Sequence, residues 1–262
     1  LTRIASHELW WGAMAMDIGA FTPFFHAFRE REKINEIMEE TCGARLTMNY
    51  YVPGGLMADL HPDFQRKVKE FITLFKKKVN EYDELVTGNI IFINRVKGVG
   101  ILSKENAVSF GCTGPAARGS GVSCDIRKLY PYAVYDKVQF DEILETGCDS
   151  LARYMIRIRE MKQSIRIIEQ LIDNIPEGDF QAKTKAVLKL PKGEFYTRVE
   201  TARGELGVYI VSEGATTPYR IKFRSPGFSN LSALDTMARG GKLGDLVAMM
   251  GTLDLVIPDI DR

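Results

Sequence analysis

Two apolar stretches with helical character open the chain. Leu9 to Met16 is apolar almost all round, which predicts a helix that is buried on every side. Thr22 and Pro23 then supply an N-cap and a favoured first residue for a second helix. This helix is predicted to end near Thr41, with Gly43 as its C-cap.

Two longer helices follow, on either side of an irregular segment. Apolar residues recur at three- and four-residue steps from Asp63 to about Leu85 and from Cys148 to Ile175, the spacing of amphipathic helices. Between the first helices and these, Thr47 to Tyr51 has extended character and residues 53–55 predict a turn. The Gly-rich segment from Gly98 to Pro131 lacks periodicity and is predicted to be a long functional loop.

Beyond Pro176 the pattern changes to short strands with turns between them. The predicted strands are Glu194 to Glu200, Leu206 to Ser212 and Tyr219 to Phe223; two short helices, Asn230 to Met237 and Leu243 to Met250, and a tail from Thr252 to Arg262 follow them. The fold class is therefore α+β.

Composition limits the kinds of protein that this chain can be. Its 262 residues, 45% hydrophobic, can bury a substantial core, and we expect one domain over residues 1–262. Lys and Arg (35) balance Asp and Glu (34), which argues against a nucleic-acid partner. The longest apolar stretches are shorter than a bilayer span and contain Asp17 and Asp254, so no transmembrane helix is predicted. Without a signal peptide, a cytoplasmic location is the default. Because the chain opens at Leu1 with no helix-start signal, we expect a segment upstream.

Cysteine and histidine spacing does not suggest a metal site. Neither a C-x-x-C pair nor a clustered set of histidines occurs, so we expect no bound metal and four reduced, mostly buried thiols. These residues are Cys42, Cys112, Cys124, Cys148, His7, His26 and His61.

Two charged features each allow two interpretations. Asp17 ends an apolar run, where an ionised carboxylate needs either a partner or a local role in capping the helix end. The segment Arg118 to Lys128 could bind an anion through guanidinium and backbone N–H groups. It could equally be a structural turn in which Asp125 pairs with Arg118 or Arg127.

The C-terminal tail mixes apolar and charged residues. Leu253, Val256 and Ile257 alternate with Asp254 and other acidic residues. A frayed acidic tail would usually lack such apolar content, so we predict that this one folds inward and that its charges find partners.

Three stretches together resemble one family. They are LTRIASHELWWGAMAMDIGAFTPFF at the start, FGCTGPAARGSGVSCDIRKLYPYAVYD from Phe110, and RGELGVYIVSEG, PYRIKFRSPGF and GTLDLVIPDIDR near the end. The chain is similar to the D subunit of the proton-pumping NADH:quinone oxidoreductase, complex I, over essentially its whole length. The resemblance implies a mainly helical body like the large subunit of nickel-iron hydrogenases, with a smaller β portion near the C-terminus.

The hydrogenase relationship supplies a chemical comparison. A nickel-iron centre needs two C-x-x-C pairs, the second near the C-terminus. Val256 and Asp259 stand where that second pair would fall. The resemblance therefore implies a cavity without the metal, in which a quinone is reduced beside the terminal iron-sulfur cluster of a partner subunit.

The resemblance also implies roles for individual residues. Asp17 matches the carboxylate that hydrogen-bonds the quinone-site histidine, which with the quinone-binding tyrosine lies upstream of Leu1. Glu39 matches an acidic position in proton transfer. The residues that match the cavity wall are Asp254, Arg203, Arg262, Val256 and Ile257. We predict that Asp17 faces a cavity or the upstream segment, and that Arg203 pairs with Asp254.

Two positions depart from the family pattern. Thr47 stands near the partner's cluster, where mitochondrial members have a histidine, and Val52 stands where an arginine is usual. This puts the pH dependence of the cluster's potential in question.

The family also implies the surroundings of the chain. This chain would bind no cofactor, and the iron-sulfur clusters, FMN and NADH would belong to partners. The implied partners are the iron-sulfur subunit with the terminal cluster, the C subunit and a membrane-arm subunit at the quinone entrance. The implied location is peripheral, on the cytoplasmic face of the inner membrane. A related hydrogenase or a ferredoxin- or F420-linked oxidoreductase, and a purely structural assembly module, are the alternatives.

Overall fold

Four long helices form the largest part of the core. In the computed structural model, which describes residues 1–185 and 187–261, they are α1 (Thr2–Asp17), α2 (Thr22–Cys42), α3 (Phe64–Tyr82) and α8 (Ser150–Leu171). Their apolar faces meet around Trp11, Ile34, Phe75, Tyr154 and Met161, which are at most 1% exposed. Each fully buried side chain of this size contributes about 1.5–3 kcal/mol, so these faces dominate the stability of the fold.

The α1–α2 hairpin is tight because a glycine lies where the helices meet. A Cβ at Gly12 would lie 3.2 Å from the Cβ of Ala27 and 3.1 Å from the Cα of Phe24. Helix α2 ends at Gly43 in the left-handed region (φ 75°), as predicted. Thr22 is not the N-cap that the sequence suggested. Phe21 takes that position, and Thr22 is already helical with no side-chain capping bond.

The segment from Gly98 to Pro131 is more ordered than predicted. It contains three short helices, α5 (Lys104–Ser109), α6 (Gly114–Arg118) and α7 (Ile126–Leu129), and α4 (Ile90–Val96) precedes it. Helices of this length show no periodicity and depend on tertiary contacts. Here they pack around Leu102, Ala107 and Ala116, which are fully buried.

The predicted strands form one antiparallel sheet in the order β3–β4–β5, and a separate short hairpin lies earlier in the chain. The three strands are β3 (Gly193–Glu200), β4 (Glu205–Ser212) and β5 (Arg220–Arg224), and the hairpin pairs β1 (Tyr51–Val52) with β2 (Gly55–Leu56). Together with the helices this confirms the α+β class. The likeness to the hydrogenase large subunit and the single domain stay predictions.

The C-terminal region has more helices than the pattern predicted. Instead of one helix from Asn230 to Met237, there are α9 (Pro226–Ser232) and α10 (Leu234–Ala238). Helix α9 starts at a Ser225 N-cap, whose hydroxyl accepts from the N–H of Gly227. Helix α11 (Leu243–Leu253) follows, and the tail ends in α12 (Ile257–Ile260).

Candidate functional site

A buried charge network lies at the centre of the molecule. The Arg118 guanidinium donates to Glu200 Oε1 over 2.8 Å and to Glu160 Oε1. The second oxygen of Glu160 lies 3.0 Å from Nε2 of His7. All four side chains are at most 4% exposed. The network therefore ties α1, α6, α8 and β3 together.

The protonation states in this network follow from its geometry. Burial by itself would raise the pKa of Glu160, but Arg118 and His7 lower that pKa well below its usual range. Burial lowers the pKa of His7 in spite of Glu160. A neutral imidazole therefore donates its Nε2 proton to a charged carboxylate. Burial raises the pKa of Glu200, and Arg118 opposes the shift.

The segment Arg118 to Lys128 has the structural role rather than the anion-binding one. Asp125 pairs with Arg127 at 2.6 Å and also caps α7 by accepting the N–H of Arg127. Arg118 pairs with Glu160 and Glu200 instead of Asp125. Since internal carboxylates occupy both guanidinium groups, the structure favours the locked turn.

Arg203 and Asp254 meet as predicted. Nε of Arg203 lies 3.2 Å from Oδ2 of Asp254, and Nη2 donates to Oδ1 over 3.3 Å. Arg203 also reaches the Ser6 hydroxyl on α1 at 3.4 Å. The prediction of this ion pair is confirmed.

Two glycines place Arg203. At Gly114 (φ +65°) a Cβ would lie 2.4 Å from the carbonyl oxygen of Arg203, and at Gly204 (φ +136°) it would lie 2.6 Å from Oγ1 of Thr113. Only glycine allows the turn after β3 to approach the start of α6 this closely. The approach fixes the backbone that presents the guanidinium to the tail.

The inward folding of the tail is confirmed only for its first residues. Leu253 and Asp254 are buried at 1% and 8% exposure, and Val256 is half-buried. Ile257 is 66% exposed, because its helix, α12, lies on the surface. Asp259 accepts a 2.6 Å hydrogen bond from the Ser225 hydroxyl. Arg262 lies outside the described residues.

Asp17 is not buried, contrary to the reasoning from its apolar surroundings. It is the last residue of α1, its side chain is exposed, and it makes no ion pair with another described residue. The helix-end N–H groups go to backbone carbonyls, so the capping alternative is not seen either. Asp17 follows Met14 by three residues on one helix face, and Met14 contacts Gly251.

Glu39 lies far from Asp17. It is near the opposite end of α2, where its carboxylate accepts a 2.6 Å bond from Arg45 at the surface. The rise along α2 from Thr22 to Glu39 is about 25 Å. The two acidic residues therefore lie at opposite ends of the α1–α2 hairpin and form no common site within this chain.

An apolar groove runs along α1, α2, α3 and α8. Its volume is about 810 Å³, and both Arg203 and Thr47 line it. Thr47 is exposed, with φ at +50°, and its hydroxyl donates to the Leu46 carbonyl over 2.8 Å. Among the predicted site residues within the described ranges, only these two line the groove.

Sequence reasoning missed a pair of buried acids. Glu8 and Glu30 are 0% and 1% exposed on facing turns of α1 and α2. Burial and then Glu30 raise the pKa of Glu8 well above its usual range. Arg29 donates to Glu30 over 2.8 Å, and the Tyr82 hydroxyl donates to Glu8 over 3.4 Å. Glu8 therefore carries a proton at neutral pH.

It also missed the buried arginines of α8. Arg153, Arg157 and Glu160 are spaced by four and three residues, so a helix places them on one face. Arg153 and Arg157 are 0% exposed. A charged stripe at helical spacing within a long apolar helix was the available signal.

The cysteines and the helices add two findings. Cys112 is buried, whereas Cys42, Cys124 and Cys148 are only partly buried, so the expectation of mostly buried thiols is wrong. Within residues 1–185 and 187–261, no three His, Cys, Asp or Glu side chains come together in a way that could hold a metal ion. Over the same ranges, no helix has the length and apolar character needed to span a membrane.

The chain belongs to the family described as the 49 Kd subunit of respiratory-chain NADH dehydrogenase, which it matches over residues 17–190 and 180–262. It is 55% identical over its whole length to the C/D subunit of NADH-quinone oxidoreductase of Bacteroides thetaiotaomicron, of which it covers 49%. It is also 48% identical to the D 2 subunit of Solibacter usitatus and 45% identical to the D subunit of Bacillus cytotoxicus, covering 71% and 72% of them. The chain thus spans about half the length of the C/D relatives.

Proposed function

We propose that this chain is the larger part of the D subunit of a proton-translocating NADH:quinone oxidoreductase and forms a wall of its quinone-reduction cavity. Relatives with that name match the chain from end to end at 45–55% identity. The observation that carries the cavity role is the anchored tail, in which Arg203 holds Asp254 while Val256 stays half-buried. Oriented charges next to apolar side chains suit a quinone headgroup and its isoprenoid chain.

The proposal gives Asp17 and Glu39 separate tasks. The exposed carboxylate of Asp17 is free to accept an N–H from the quinone-site histidine and to stabilise its protonated form. Glu39, paired with Arg45 at the other end of the hairpin, would join proton transfer toward the membrane arm through groups of other subunits.

Redox cofactors belong to partners in this proposal. FMN, the iron-sulfur clusters and the NADH site would lie on other subunits, and the subunit with the terminal cluster would approach Thr47. Because threonine does not titrate, the potential of that cluster should depend less on pH than where a histidine stands at this position. The assembly would lie peripherally on the cytoplasmic face of the inner membrane, where this chain would adjoin the C subunit and a membrane-arm subunit.

Removal of residues 256–262 tests the cavity role. In membranes with normal assembly levels, the truncation should abolish quinone reduction and leave electron transfer from NADH to artificial acceptors largely intact. A matched control is the charge-neutral substitution D261N, at an exposed residue of the same tail. Undiminished quinone reduction after truncation would show that the tail is not part of the site.

A further inference from the structure

Side chains from two other helices hold the end of α11. Trp10 of α1 donates its indole N–H to the carbonyl oxygen of Gly251 over 2.7 Å. Arg157 of α8 donates from Nη1 to the carbonyl oxygen of Thr252 over 2.8 Å. Carbonyls in the last turn of a helix lack the usual intrahelical partners. The two bonds therefore fix the backbone where the helix stops.

The two holding side chains also contact each other. The Arg157 guanidinium lies 4.6 Å from the centre of the Trp10 ring, and the two side chains are 0% and 3% exposed. A guanidinium over an indole face is attracted to the ring. Burial lowers the pKa of Arg157 to about 10, while Asp254 and Glu160 oppose the shift, so the group stays charged at neutral pH.

The chain changes direction directly after this point. Asp254 has left-handed dihedral angles, φ 57° and ψ 55°, which are unfavourable for a residue with a Cβ. Its N–H bonds back to the Gly251 carbonyl at 3.3 Å, the same oxygen that Trp10 contacts. The direction in which the tail leaves α11 therefore depends on the position of that carbonyl.

We propose that Trp10 and Arg157 are positioning residues for quinone reduction, because they set the point and direction from which the tail starts. This inference rests on the proposed function, in which the tail walls the quinone cavity. Neither side chain needs to touch the quinone. A displaced tail changes how the substrate is held, so the KM for quinone should rise more than kcat falls.

The neighbouring tryptophan offers a matched control. Trp11 is 1% exposed and donates its indole N–H to the Tyr154 hydroxyl over 3.1 Å, within the helical core. W10F and W11F thus each remove one buried indole N–H, but only W10F releases the Gly251 carbonyl. In the assembled complex, W10F should raise the quinone KM about fivefold, the worth of one hydrogen bond.

A second variant keeps the test informative if W10F assembles poorly. R157K keeps the positive charge but not the planar guanidinium, so it should also raise the quinone KM. Transfer from NADH to artificial acceptors should stay at the wild-type level in W10F, W11F and R157K.

The outcomes separate this inference from the proposed function. If W10F and R157K leave the quinone KM unchanged, or if W11F raises it as much as W10F, the positioning role is wrong, even where the tail truncation abolishes quinone reduction. If the truncated complex still reduces quinone, the proposed function fails and the positioning role fails with it.

Discussion

The substitution R118M tests the buried network most severely. Arg118 is 0% exposed and neutralises two carboxylates, Glu160 and Glu200, which are 3% and 4% exposed. Without the guanidinium both acids remain buried without their main cation. Removing one partner of a buried ion pair costs about 3–5 kcal/mol, a large part of the roughly 5–15 kcal/mol that stabilises a typical domain.

Urea unfolding of the purified chain measures this loss, with Trp10 and Trp11 as buried fluorescent reporters. The matched control is R66M, because Arg66 is 55% exposed and its pairs with Asp63 and Glu70 lie in water. Such surface pairs contribute about 0–1 kcal/mol. The destabilisation by R118M should shrink at low pH, where the orphaned carboxylates take up protons. A loss in R118M no larger than in R66M would refute the reasoning.

Three further predictions follow from single side chains. Burial and Glu30 raise the pKa of Glu8 above its ordinary value of 4.5, so the native chain holds a proton that the unfolded chain releases. Stability should therefore fall as pH rises above that value, and E8Q should flatten this fall while E84Q, at an exposed position, should not; parallel urea profiles for wild type and E8Q would contradict it. In the assembled complex, D17N should lower quinone reduction with little loss of assembly, because it keeps the shape and removes the charge; full activity would exclude the proposed role. Elemental analysis of the purified chain should find no stoichiometric iron, nickel or zinc, and about one tightly held metal per chain would show otherwise.

Periodicity was sufficient for the long elements and insufficient for the short ones. The helix predicted from Cys148 to Ile175 is observed as Ser150–Leu171, and each strand of the sheet lies within one residue of its predicted bounds. The three helices between Gly98 and Pro131 have four to six residues, too few for a repeat to show. A local signal did exist for α9, since Ser225 followed by Pro226 is a helix start.

The site divides in the same way between local and long-range information. The pairing of Arg203 with Asp254 was predicted from the resemblance, since the two residues are far apart in sequence. Exposure of Asp17 was predicted wrongly, because an apolar helix can still end at the surface. The partners of Arg118 come from α8 and β3, and which carboxylates reach it depends on how those elements pack.

The depth of the Arg118 network has a consequence for handling the protein. Added salt screens charges that are separated by water, with a Debye length of about 3 Å at 1 M, but it hardly reaches pairs enclosed by protein. Exposed pairs such as Arg66 with Glu70 should weaken in concentrated salt, whereas Arg118 with Glu200 should persist. Salt washes that strip subunits attached through surface charges should therefore release this chain with its fold intact.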